Sequence, residues 1–280
     1  MQTAVVTGAS TGIGYATAQV LTAHGIRVFG SVRRHEDAER VARELGPRFV
    51  PLLFDVTDSA AVRAASAQVA DALEGKPLFG LVNNAGIAVP GPLLHVSIDD
   101  VRRQLEVNVI GQLIVTQAFT PLLGADRGRS GAPGRIVMMS SVGGRTASPF
   151  IGAYNTSKFA LEGLSECLRR ELMVFGIGVV VIAPGAIATP IWDKAEAFDP
   201  ETLADTAYGP AARIARSVIE RGRLGFPASR VGEVVLTALT ARRPKLRYTI
   251  TPTPYEQFVV RSLPKRLIDR LTARRLGWRA

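Results

Sequence analysis

Short runs of apolar and β-branched residues recur along the chain, and most of them are separated by segments with a helical pattern. The segment 11–25 is an example, with apolar residues three and four positions apart and a closing glycine. Strands that alternate with helices predict a parallel sheet covered on both faces. We therefore predict a single α/β domain with one doubly wound parallel sheet of about seven strands. The predicted strands are Ala4–Thr7, Arg27–Val32, Val50–Phe54, Leu78–Val82, Arg135–Ser140, Gly178–Ile182 and Leu246–Ile250.

Two stretches, Val107–Ala125 and Leu172–Trp192, contain no charged residue. Each is long enough to resemble a membrane span. Glycines and prolines interrupt the second stretch, and asparagine, glutamine and threonine occur in the first. We interpret both stretches as buried elements of the α/β fold. The glycine-rich segment Gly124–Gly134 is predicted to be a surface connection before the fifth strand.

The net charge of +10 is concentrated at the end of the chain. Residues 241–280 contain eleven Lys/Arg and two acidic residues, a net charge of +9, so the first 240 residues carry only +1. The main body therefore gives no electrostatic reason to propose binding to nucleic acid. We divide the chain into a main domain over residues 1–252 and a basic tail over residues 253–280.

The basic tail has the pattern of an amphipathic helix between Leu263 and Trp278. Apolar residues recur near a helical period, and arginines mark another face. Ser262 and Pro264 suit the start of a helix. Such a helix could lie on an anionic membrane surface, or it could pack on its own protein or on a partner subunit. The sequence leaves these alternatives open.

Cysteine and histidine are too scarce for several classes of site. The single cysteine, Cys167, excludes an internal disulfide framework and fits a reducing compartment. We interpret it as a core residue of a helix that continues from Phe159. His24, His35 and His95 lack metal-ligand spacing, so no metal site is predicted. The chain enters a strand-like run at once, without the pattern of a secretory signal, which favours a cytoplasmic protein.

A glycine-rich turn, TGASTGIG, follows the first strand and opens the first helix. Gly8, Gly12 and Gly14 allow a tight turn and a close approach to a pyrophosphate, and the helix N-terminus offers free N–H groups. Glycines also end strands without binding anything, so the turn alone is weak evidence. Its position between a strand and a helix at the start of an alternating fold favours a dinucleotide site.

Further motifs follow this turn along the chain. They are Asp55–Val56, Asn83–Gly86 (NNAG), Asn108, Ser140–Ser141, Tyr154–Lys158 (YNTSK), and Pro184–Gly185 with Thr189. Together with the spacing G-x-x-x-G-x-G, this set resembles the short-chain dehydrogenase/reductase family over about residues 3–250. The resemblance implies a Rossmann-type fold and an enzyme that moves a hydride between NAD(P)(H) and an alcohol or ketone. It also implies a homo-oligomer, either a dimer or a tetramer.

The resemblance also gives roles to individual residues. It implies catalysis by Tyr154, Lys158, Ser141 and Asn108, with Asn108 holding a water between Lys158 and solvent. The full set of residues predicted to bind the cofactor is Gly8, Ser10, Thr11, Gly12, Ile13, Gly14, Arg33, Asp55, Val56, Asn83, Ala85, Gly86, Tyr154, Lys158, Pro184, Gly185, Ile187 and Thr189.

Tyr154 and Lys158 are four residues apart, which puts both side chains on one face of a helix. Alone, such a pair would be a packed ring and a solvated amine, since both groups titrate near pH 10 when unperturbed. In a dinucleotide site, the ammonium and an oxidised nicotinamide would lower the pKa of Tyr154 toward the working pH. With the cofactor motifs upstream, we interpret the pair as catalytic.

The end of the second strand, FGSVRRHED, indicates which dinucleotide is bound. Where an enzyme that prefers NAD usually has an acidic residue, this sequence has Val32, followed by Arg33 and Arg34. A guanidinium can bond the 2′-phosphate that a carboxylate would repel. We therefore expect NADP(H) in preference to NAD(H), with Arg33 as the main contact.

Other interpretations of this strand end are open. Ser10 or Thr11 would help Arg33 to bind the phosphate, whereas arginines that are only solvated would bind nothing. A shifted strand end could instead bring Glu36 or Asp37 to the ribose, which would favour NAD(H).

The segment 186–230 is expected to cover the substrate. Its apolar residues suit a lipophilic alcohol or ketone, although each could simply pack the segment onto the body; they are Ile187, Ile191, Trp192, Phe198, Leu203, Tyr208, Ile214, Leu224 and Phe226. The stretches 141–172, 236–248 and 27–34 most resemble the branch of 17β-hydroxysteroid and retinol dehydrogenases, which implies a steroid-, retinoid- or aryl-ketone-like substrate. The alternative function is a non-catalytic, dinucleotide-binding regulator or a membrane-surface interaction protein.

Overall fold

The computed structural model describes residues 1–190, 199–212, 214, 224–252 and 262–278. Its strands are β1 (Thr3–Val6), β2 (Arg27–Val32), β3 (Phe49–Leu53), β4 (Gly80–Asn83), β5 (Arg135–Met139), β6 (Gly178–Pro184), β7 (Ile187–Ala188), β8 (Phe226–Pro227) and β9 (Arg247–Ile250). Seven of them form one parallel sheet in the order β3-β2-β1-β4-β5-β6-β9, and β7 pairs with β8 separately.

Eight α-helices have both of their ends within the part of the chain that the structure describes. They are α1 (Gly12–Ala23), α2 (His35–Leu45), α3 (Ser59–Ala72), α4 (Ile98–Leu105), α5 (Gly111–Phe119), α6 (Gly152–Glu171), α7 (Ala228–Thr240) and α8 (Lys265–Arg275). Helices α3, α5 and α6 contribute to the apolar core on one face of the sheet, and α1, α2 and α7 contribute to the core on the other face. The predicted doubly wound α/β fold is therefore confirmed.

The two cores follow from the alternation of side chains along each strand. In β1, Val5 belongs to one core, and Ala4 and Val6 belong to the other. All three side chains are fully buried. A strand with both faces covered must be apolar at successive positions, which is why the predicted strands appear as continuous apolar runs. Each observed strand of the large sheet lies within two residues of its predicted bounds.

The order of the strands fixes the position of a binding crevice. From β1 the chain continues outward through β2 and β3, and then returns to the other side of β1 for β4, β5 and β6. The neighbouring ends of β1 and β4 are therefore a topological switch point, where ligands bind in open α/β sheets. The loops that follow β1, β4, β5 and β6 all contain predicted site residues.

The apolar pattern of α6 was only partly interpreted correctly. Leu161, Leu168 and Leu172 are buried as expected, but Phe159 is 46% exposed and Cys167 is exposed. The expectation that Cys167 is a core residue is wrong, because the buried face of α6 follows the stripe that contains Leu161 and Leu168. Phe159 and Cys167 lie on the outer side of the same helix.

The uncharged stretches are parts of the α/β fold. The first runs into α5, and the second contains β6, whose residues are almost all buried. Among the described residues, no helix is both long and apolar enough to cross a membrane. Residues 124–134 form mostly exposed turns before β5, as predicted.

The tail helix α8 packs on the protein itself. Ala273 and Leu276 are buried, and the ring of Trp278 lies 6.3 Å from that of Phe150 and 6.2 Å from that of Tyr208. Of the alternatives left open by the sequence, packing on the body is the one observed for residues 262–278. Contact with a membrane could then involve only the outer face of α8, and it stays a prediction.

Candidate active site

The glycine-rich turn after β1 has the conformation that a phosphate cradle requires. Gly8 and Gly12 have φ angles of 66° and 59°, in the left-handed region that favours glycine. Helix α1 begins at Gly12, and no described side chain caps its N-terminus at Thr11. The first N–H groups of α1 are thus available to an anion, and the helix dipole favours negative charge there.

Gly14 is required for a different reason, which is close packing. A methyl group at this position would lie 2.1 Å from the carbonyl oxygen of Gly8 and 2.5 Å from Asn84 Nδ2. Because the nearest atom belongs to the backbone of the turn, the clash could be relieved only by moving the cradle itself.

We therefore expect Gly14→Ala to destabilise the fold by about 1–3 kcal/mol and to weaken dinucleotide binding. Thermal unfolding with and without dinucleotide measures both effects. Gly163→Ala in α6 is the matched control, because no described atom lies within 4 Å of a methyl group added there. That control should be neutral or slightly stabilising, since alanine favours a helix more than glycine does. Equal behaviour of the two variants would contradict this account of Gly14.

Two hydroxyl groups that the sequence analysis did not select hold the cradle in position. Ser31 Oγ accepts a 2.9 Å hydrogen bond from the N–H of Gly8. Thr7 Oγ1 accepts hydrogen bonds of 2.9 Å from the N–H groups of Asn84 and Ala85. Both residues are buried. The sequence contained one indication of both roles, which is a polar residue at the carboxyl end of an otherwise apolar strand. Neither residue was predicted from it.

The loops after β4 and β6 lie against this turn. A methyl group at Gly8 would lie 3.0 Å from the Cα atom of Ala85, and one at Gly12 would lie 3.4 Å from Cβ of Thr189. The N–H of Gly185 donates to the carbonyl of Ile250 at 2.7 Å, which fixes the beginning of the second loop. The structure therefore brings the predicted residues of three separate motifs to one place.

Some predicted cofactor residues have side chains that point into the protein. Asn83 is fully buried, and its Nδ2 donates to Thr116 Oγ1 at 2.7 Å. Val56 and Ile187 are also buried, and Ile13 packs against the apolar core. Asn83 could therefore contact a cofactor only through its backbone. Strand alternation explains this orientation, because Asn83 is the last residue of β4.

Strand β2 ends at the residue where the sequence analysis predicted its end. Strand β2 ends at Val32, and Arg33 is an exposed residue whose Nη1 lies 3.7 Å from Asp55 Oδ2. Asp37 is buried in the first turn of α2, where its carboxylate accepts hydrogen bonds from Arg34 and Arg40. Those two arginines hold the pKa of Asp37 below its usual value.

Arg40 also donates a 2.8 Å hydrogen bond to the carbonyl of Ser10 in the glycine-rich turn. Asp37 thus holds Arg40 against the cradle. The described geometry does not bring Asp37 to the strand end, so the shifted-strand alternative has no support from this residue.

The predicted catalytic residues come from the end of β5 and the first turns of α6. Ser141 follows β5, and its Oγ accepts from the N–H of Gly143 at 3.0 Å and donates to the carbonyl of Pro184 at 3.3 Å. Tyr154 is partly buried and Lys158 is buried. Lys158 Nζ donates to the carbonyl of Met139 at 2.8 Å and lies 5.6 Å from the centre of the Tyr154 ring.

In the protein without a dinucleotide, the pKa of Tyr154 is raised, whereas a lowered pKa is expected in the dinucleotide complex. Burial raises the pKa of Tyr154, and a hydrogen bond with Ser141 acts in the opposite, smaller sense. Burial lowers the pKa of Lys158 to about 8, against a smaller effect of the Glu162 carboxylate. The expectation of a lowered tyrosine pKa concerned the dinucleotide complex, and for that complex it stays a prediction.

The lowered pKa of Lys158 has a consequence for stability. Between about pH 8 and pH 10.5 the unfolded chain keeps the lysine proton while the folded protein has lost it, so this group makes the fold more stable as pH rises. Below pH 8 both states hold the proton, and the cost of burying the ammonium is fully present.

We expect the stability of the wild type relative to Lys158→Met to be constant below pH 8 and to increase between pH 8 and pH 10. Denaturant unfolding of both proteins across this range measures the difference. Lys76→Met, at an exposed position, is the control and should show no such trend. A difference between wild type and Lys158→Met that does not change with pH would contradict a lowered pKa of Lys158.

Asn108 lies in a π-helical segment, Glu106–Ile110, between α4 and α5. Its Oδ1 accepts from the N–H of Ile87 at 2.8 Å, and its Nδ2 donates to the carbonyl of Ile87 and to Ser157 Oγ, each at 3.0 Å. Insertions of this kind in α-helices are frequent at functional sites. The structure brings Asn108 next to the first turns of α6, and the proposed water contact stays a prediction.

These residues suit a dinucleotide. The positive-φ glycines and the uncapped helix N-terminus form an anion cradle, and Arg33 and Asp55 lie at the strand ends beside it. Among the described residues, no group of three or more His, Cys, Asp or Glu side chains is arranged to hold a metal ion. The fold and the cradle together define a dinucleotide-binding α/β protein.

Comparisons with known proteins identify the family within that class. A family model described as short chain dehydrogenase matches residues 2–199. The chain therefore belongs to the short-chain dehydrogenase/reductase family, and it is an oxidoreductase that uses a nicotinamide dinucleotide.

Two relatives show how far the similarity extends. An NADPH-dependent 3-dehydrocapnine reductase of Ornithobacterium rhinotracheale is 39% identical over 273 residues, covering 97% of this chain and 96% of the relative. Human retinol dehydrogenase 5 is 34% identical over 262 residues, covering 87% of this chain and 79% of the relative. The expected family and the likeness to retinol dehydrogenases are both confirmed.

Solved structures of the same family contain either nicotinamide dinucleotide. A short chain dehydrogenase/reductase from Burkholderia phymatum in complex with NAD has a TM-score of 0.79 and 26% identity, covering 96% of this chain and 95% of the other. A short chain dehydrogenase from Burkholderia cenocepacia in complex with NADP has a TM-score of 0.69 and 31% identity, covering 89% and 96%. The similarity in fold is thus consistent with binding of a nicotinamide dinucleotide and does not distinguish NAD from NADP.

Proposed function

We propose that this protein is an NADP(H)-dependent oxidoreductase that interconverts a lipophilic secondary alcohol and its ketone, with Tyr154 as general acid and base. The observation that carries the proposal is the convergence of Ser141, Tyr154 and Lys158 in a chain whose glycine-rich turn has the conformation of a phosphate cradle. A protein that only senses dinucleotides need not keep these three residues. The non-catalytic alternative therefore has no specific observation in its favour.

In the reductive direction, Tyr154 gives its hydroxyl proton to the carbonyl oxygen of the substrate as the alcohol forms. Ser141 donates a hydrogen bond to the same oxygen and so orients the substrate. The bound dinucleotide supplies or accepts the hydride. In the oxidative direction, Tyr154 takes the proton from the alcohol, which requires its phenolate form.

Lys158 has two proposed tasks. Its ammonium favours the phenolate form of Tyr154 because a nearby positive charge stabilises a negative one. It would also bond the ribose hydroxyls of the cofactor. The hydrogen bond from Nζ to the carbonyl of Met139 holds the amine at the end of β5, and the buried position limits its contact with water.

NADP(H) is proposed in preference to NAD(H) on the basis of Arg33. This arginine is exposed at the end of β2, and its only described ion pair, with Asp55, is long and open to solvent. Such a pair contributes little and leaves the guanidinium able to bind a phosphate. The similarity to an NADPH-dependent reductase agrees with this proposal.

The lipophilic substrate is proposed from the segment 186–230. In its described part, Ile187, Leu203, Tyr208 and Phe226 are buried or partly buried, whereas Leu224 is 85% exposed. Ile191, Trp192 and Phe198 lie outside the described residues. We retain residues 1–252 as the proposed catalytic unit and, from family membership, a homo-oligomer as its proposed form.

A panel of substrates with both cofactors tests the proposed function. We expect steroid, retinoid-like or aryl ketones to give a higher kcat/KM than small polar sugars or hydroxy acids. The reason is that each methylene buried against apolar side chains can contribute about 0.8 kcal/mol of binding. The change in nicotinamide absorbance is the readout. A panel in which polar sugars are the best substrates would contradict the proposal.

A further inference from the structure

A cavity of about 840 Å³ lies between the tail helix α8, the start of α6 and the loop before it. Its walls are mainly apolar and include Leu93, Phe150, Phe159, Ile268 and Trp278. We call this space the α8 cavity. Its volume is within the range of pockets that hold a single organic ligand, about 300–1,000 Å³.

One wall of the α8 cavity is held in a strained conformation. Phe150 has a φ angle of 67°, which is an outlier for a bulky residue. Its carbonyl accepts a 2.6 Å hydrogen bond from Gly91, and its ring packs edge-on against Tyr208, 6.2 Å away. Strain of this kind persists where the surroundings fix it, and it is concentrated at binding sites.

Three distant parts of the sequence therefore build the cavity together. Phe150 comes from the loop before α6, Tyr208 from the segment expected to cover the substrate, and Trp278 from the end of the tail. His95, from the loop after β4, adds an edge-on contact with Tyr208 at 5.5 Å. This aromatic cluster joins the tail to the loops around the active site.

The cavity adjoins the catalytic residues but does not include them. Neither Ser141 nor Tyr154 is among the described residues that line it, whereas Asn155 is. Asn155 Oδ1 is buried and has no hydrogen-bond partner among the described residues. A methyl group at Gly143 would lie 2.8 Å from that oxygen, 3.4 Å from Ser141 Oγ and 3.6 Å from Cε1 of Tyr154. The wall of the cavity at Asn155 thus lies directly beside the catalytic loop.

We propose that the α8 cavity binds the apolar end of an elongated ketone or alcohol whose carbonyl carbon reacts beside Tyr154. A compact substrate at Tyr154 cannot fill this space, because the catalytic side chains do not line it. The tail would then determine the preferred substrate length. This inference rests on the proposed function, and it makes α8 part of the binding site.

The test compares a short and a long methyl ketone, butan-2-one and dodecan-2-one, in two matched variants. Thr156 is exposed and lines the cavity, so Thr156→Phe would fill part of it. Ala160 is exposed on the same helix one turn further and is not among the described lining residues, so Ala160→Phe is the control.

In the wild type we expect kcat/KM to be at least about 100-fold higher for dodecan-2-one, since each buried methylene can contribute about fourfold. Thr156→Phe should reduce this ratio by about tenfold or more and leave the value for butan-2-one within about twofold. Ala160→Phe should leave the ratio unchanged. Equal ratios in the wild type and both variants would overturn the inference.

A binding measurement separates failure of this inference from failure of the proposed function. Trp192→Phe leaves Trp278 as the only tryptophan, so its emission reports on the cavity. A shift on titration of this variant with dodecan-2-one, without turnover of any ketone by the wild type, would support the cavity and overturn the proposed function. Turnover of butan-2-one without such a shift would support the proposed function and overturn the inference about the cavity. If Thr156→Phe and Ala160→Phe both lose self-association, and the Trp278 emission does not shift with dodecan-2-one, the surface around the cavity binds a second copy of the chain. That result would overturn the inference.

Discussion

Tyr154→Phe is expected to lose nearly all turnover while the protein still binds its dinucleotide. The substitution keeps the ring and removes the hydroxyl, the group proposed to exchange a proton with the substrate oxygen. Help from a general acid or base contributes about 10²–10⁴-fold to a rate, so the loss should be of that order. Steady-state kinetics, together with a dinucleotide titration by fluorescence, measures both parts of the expectation.

The matched control is Tyr248→Phe, on β9. The Tyr248 hydroxyl accepts a hydrogen bond from the N–H of Lys245 at 3.1 Å, and its side chain packs against the apolar core on the face of the sheet opposite α6. Its removal should leave kcat within about threefold. Turnover of Tyr154→Phe within threefold of wild type, at any pH, would remove Tyr154 from its proposed role.

Arg33→Ala is expected to raise the KM for NADP(H) by about tenfold or more and to leave the KM for NAD(H) nearly unchanged. A hydrogen bond to a charged group contributes roughly 1.5–3 kcal/mol, which corresponds to a factor of about ten or more in affinity. Only NADP(H) has the 2′-phosphate that this guanidinium would bind. The ratio of the two KM values in wild type and variant is therefore the quantity to measure.

Arg34→Ala is the control for this experiment. Arg34 is the next residue, but its Nε donates to Asp37 at 2.9 Å, so it is engaged in the first turn of α2. Its removal should not change the preference between the cofactors. Preference of the wild type for NAD(H), or equal weakening of both cofactors by Arg33→Ala, would show that the assignment of Arg33 is wrong.

The central sheet could be predicted because its strands are covered on both faces. Burial of successive residues such as Ala4, Val5 and Val6 produces continuous apolar runs, which are visible without any knowledge of tertiary contacts. The glycine-rich turn could be predicted for a similar reason. Positive φ angles at Gly8 and Gly12, and close packing at Gly14, leave little choice of residue at these positions.

Other features depend on tertiary contacts that no local pattern contains. The outward position of Phe159 and Cys167 depends on which face of α6 meets the sheet. The buried side chain of Asn83 depends on the alternation in β4, although its motif suggested a binding residue. The position of α8 depends on Trp278 meeting Phe150, which lies 128 positions earlier in the sequence.

Lys158 and Tyr154 also combine a feature that is visible in the sequence with one that depends on tertiary contacts. Their spacing of four residues could be recognised in the sequence, but their pKa values depend on burial, which the sequence does not give. Burial raises the pKa of Tyr154 and lowers that of Lys158, so the protein alone does not favour the ionised pair. The phenolate needed for alcohol oxidation is therefore expected to require the bound dinucleotide, whose positive nicotinamide in the oxidised state favours it.

The transfer of deuterium tests the central claim most directly. NADPH labelled with deuterium at the reactive C4 position is incubated with the enzyme and a lipophilic ketone from the substrate panel, and the alcohol is analysed by mass spectrometry. We predict one deuterium at the carbinol carbon of the product, with loss of the label from the cofactor and almost no product from Tyr154→Phe. Formation of alcohol without deuterium at that carbon, or at the same rate in Tyr154→Phe, would contradict hydride transfer at this site.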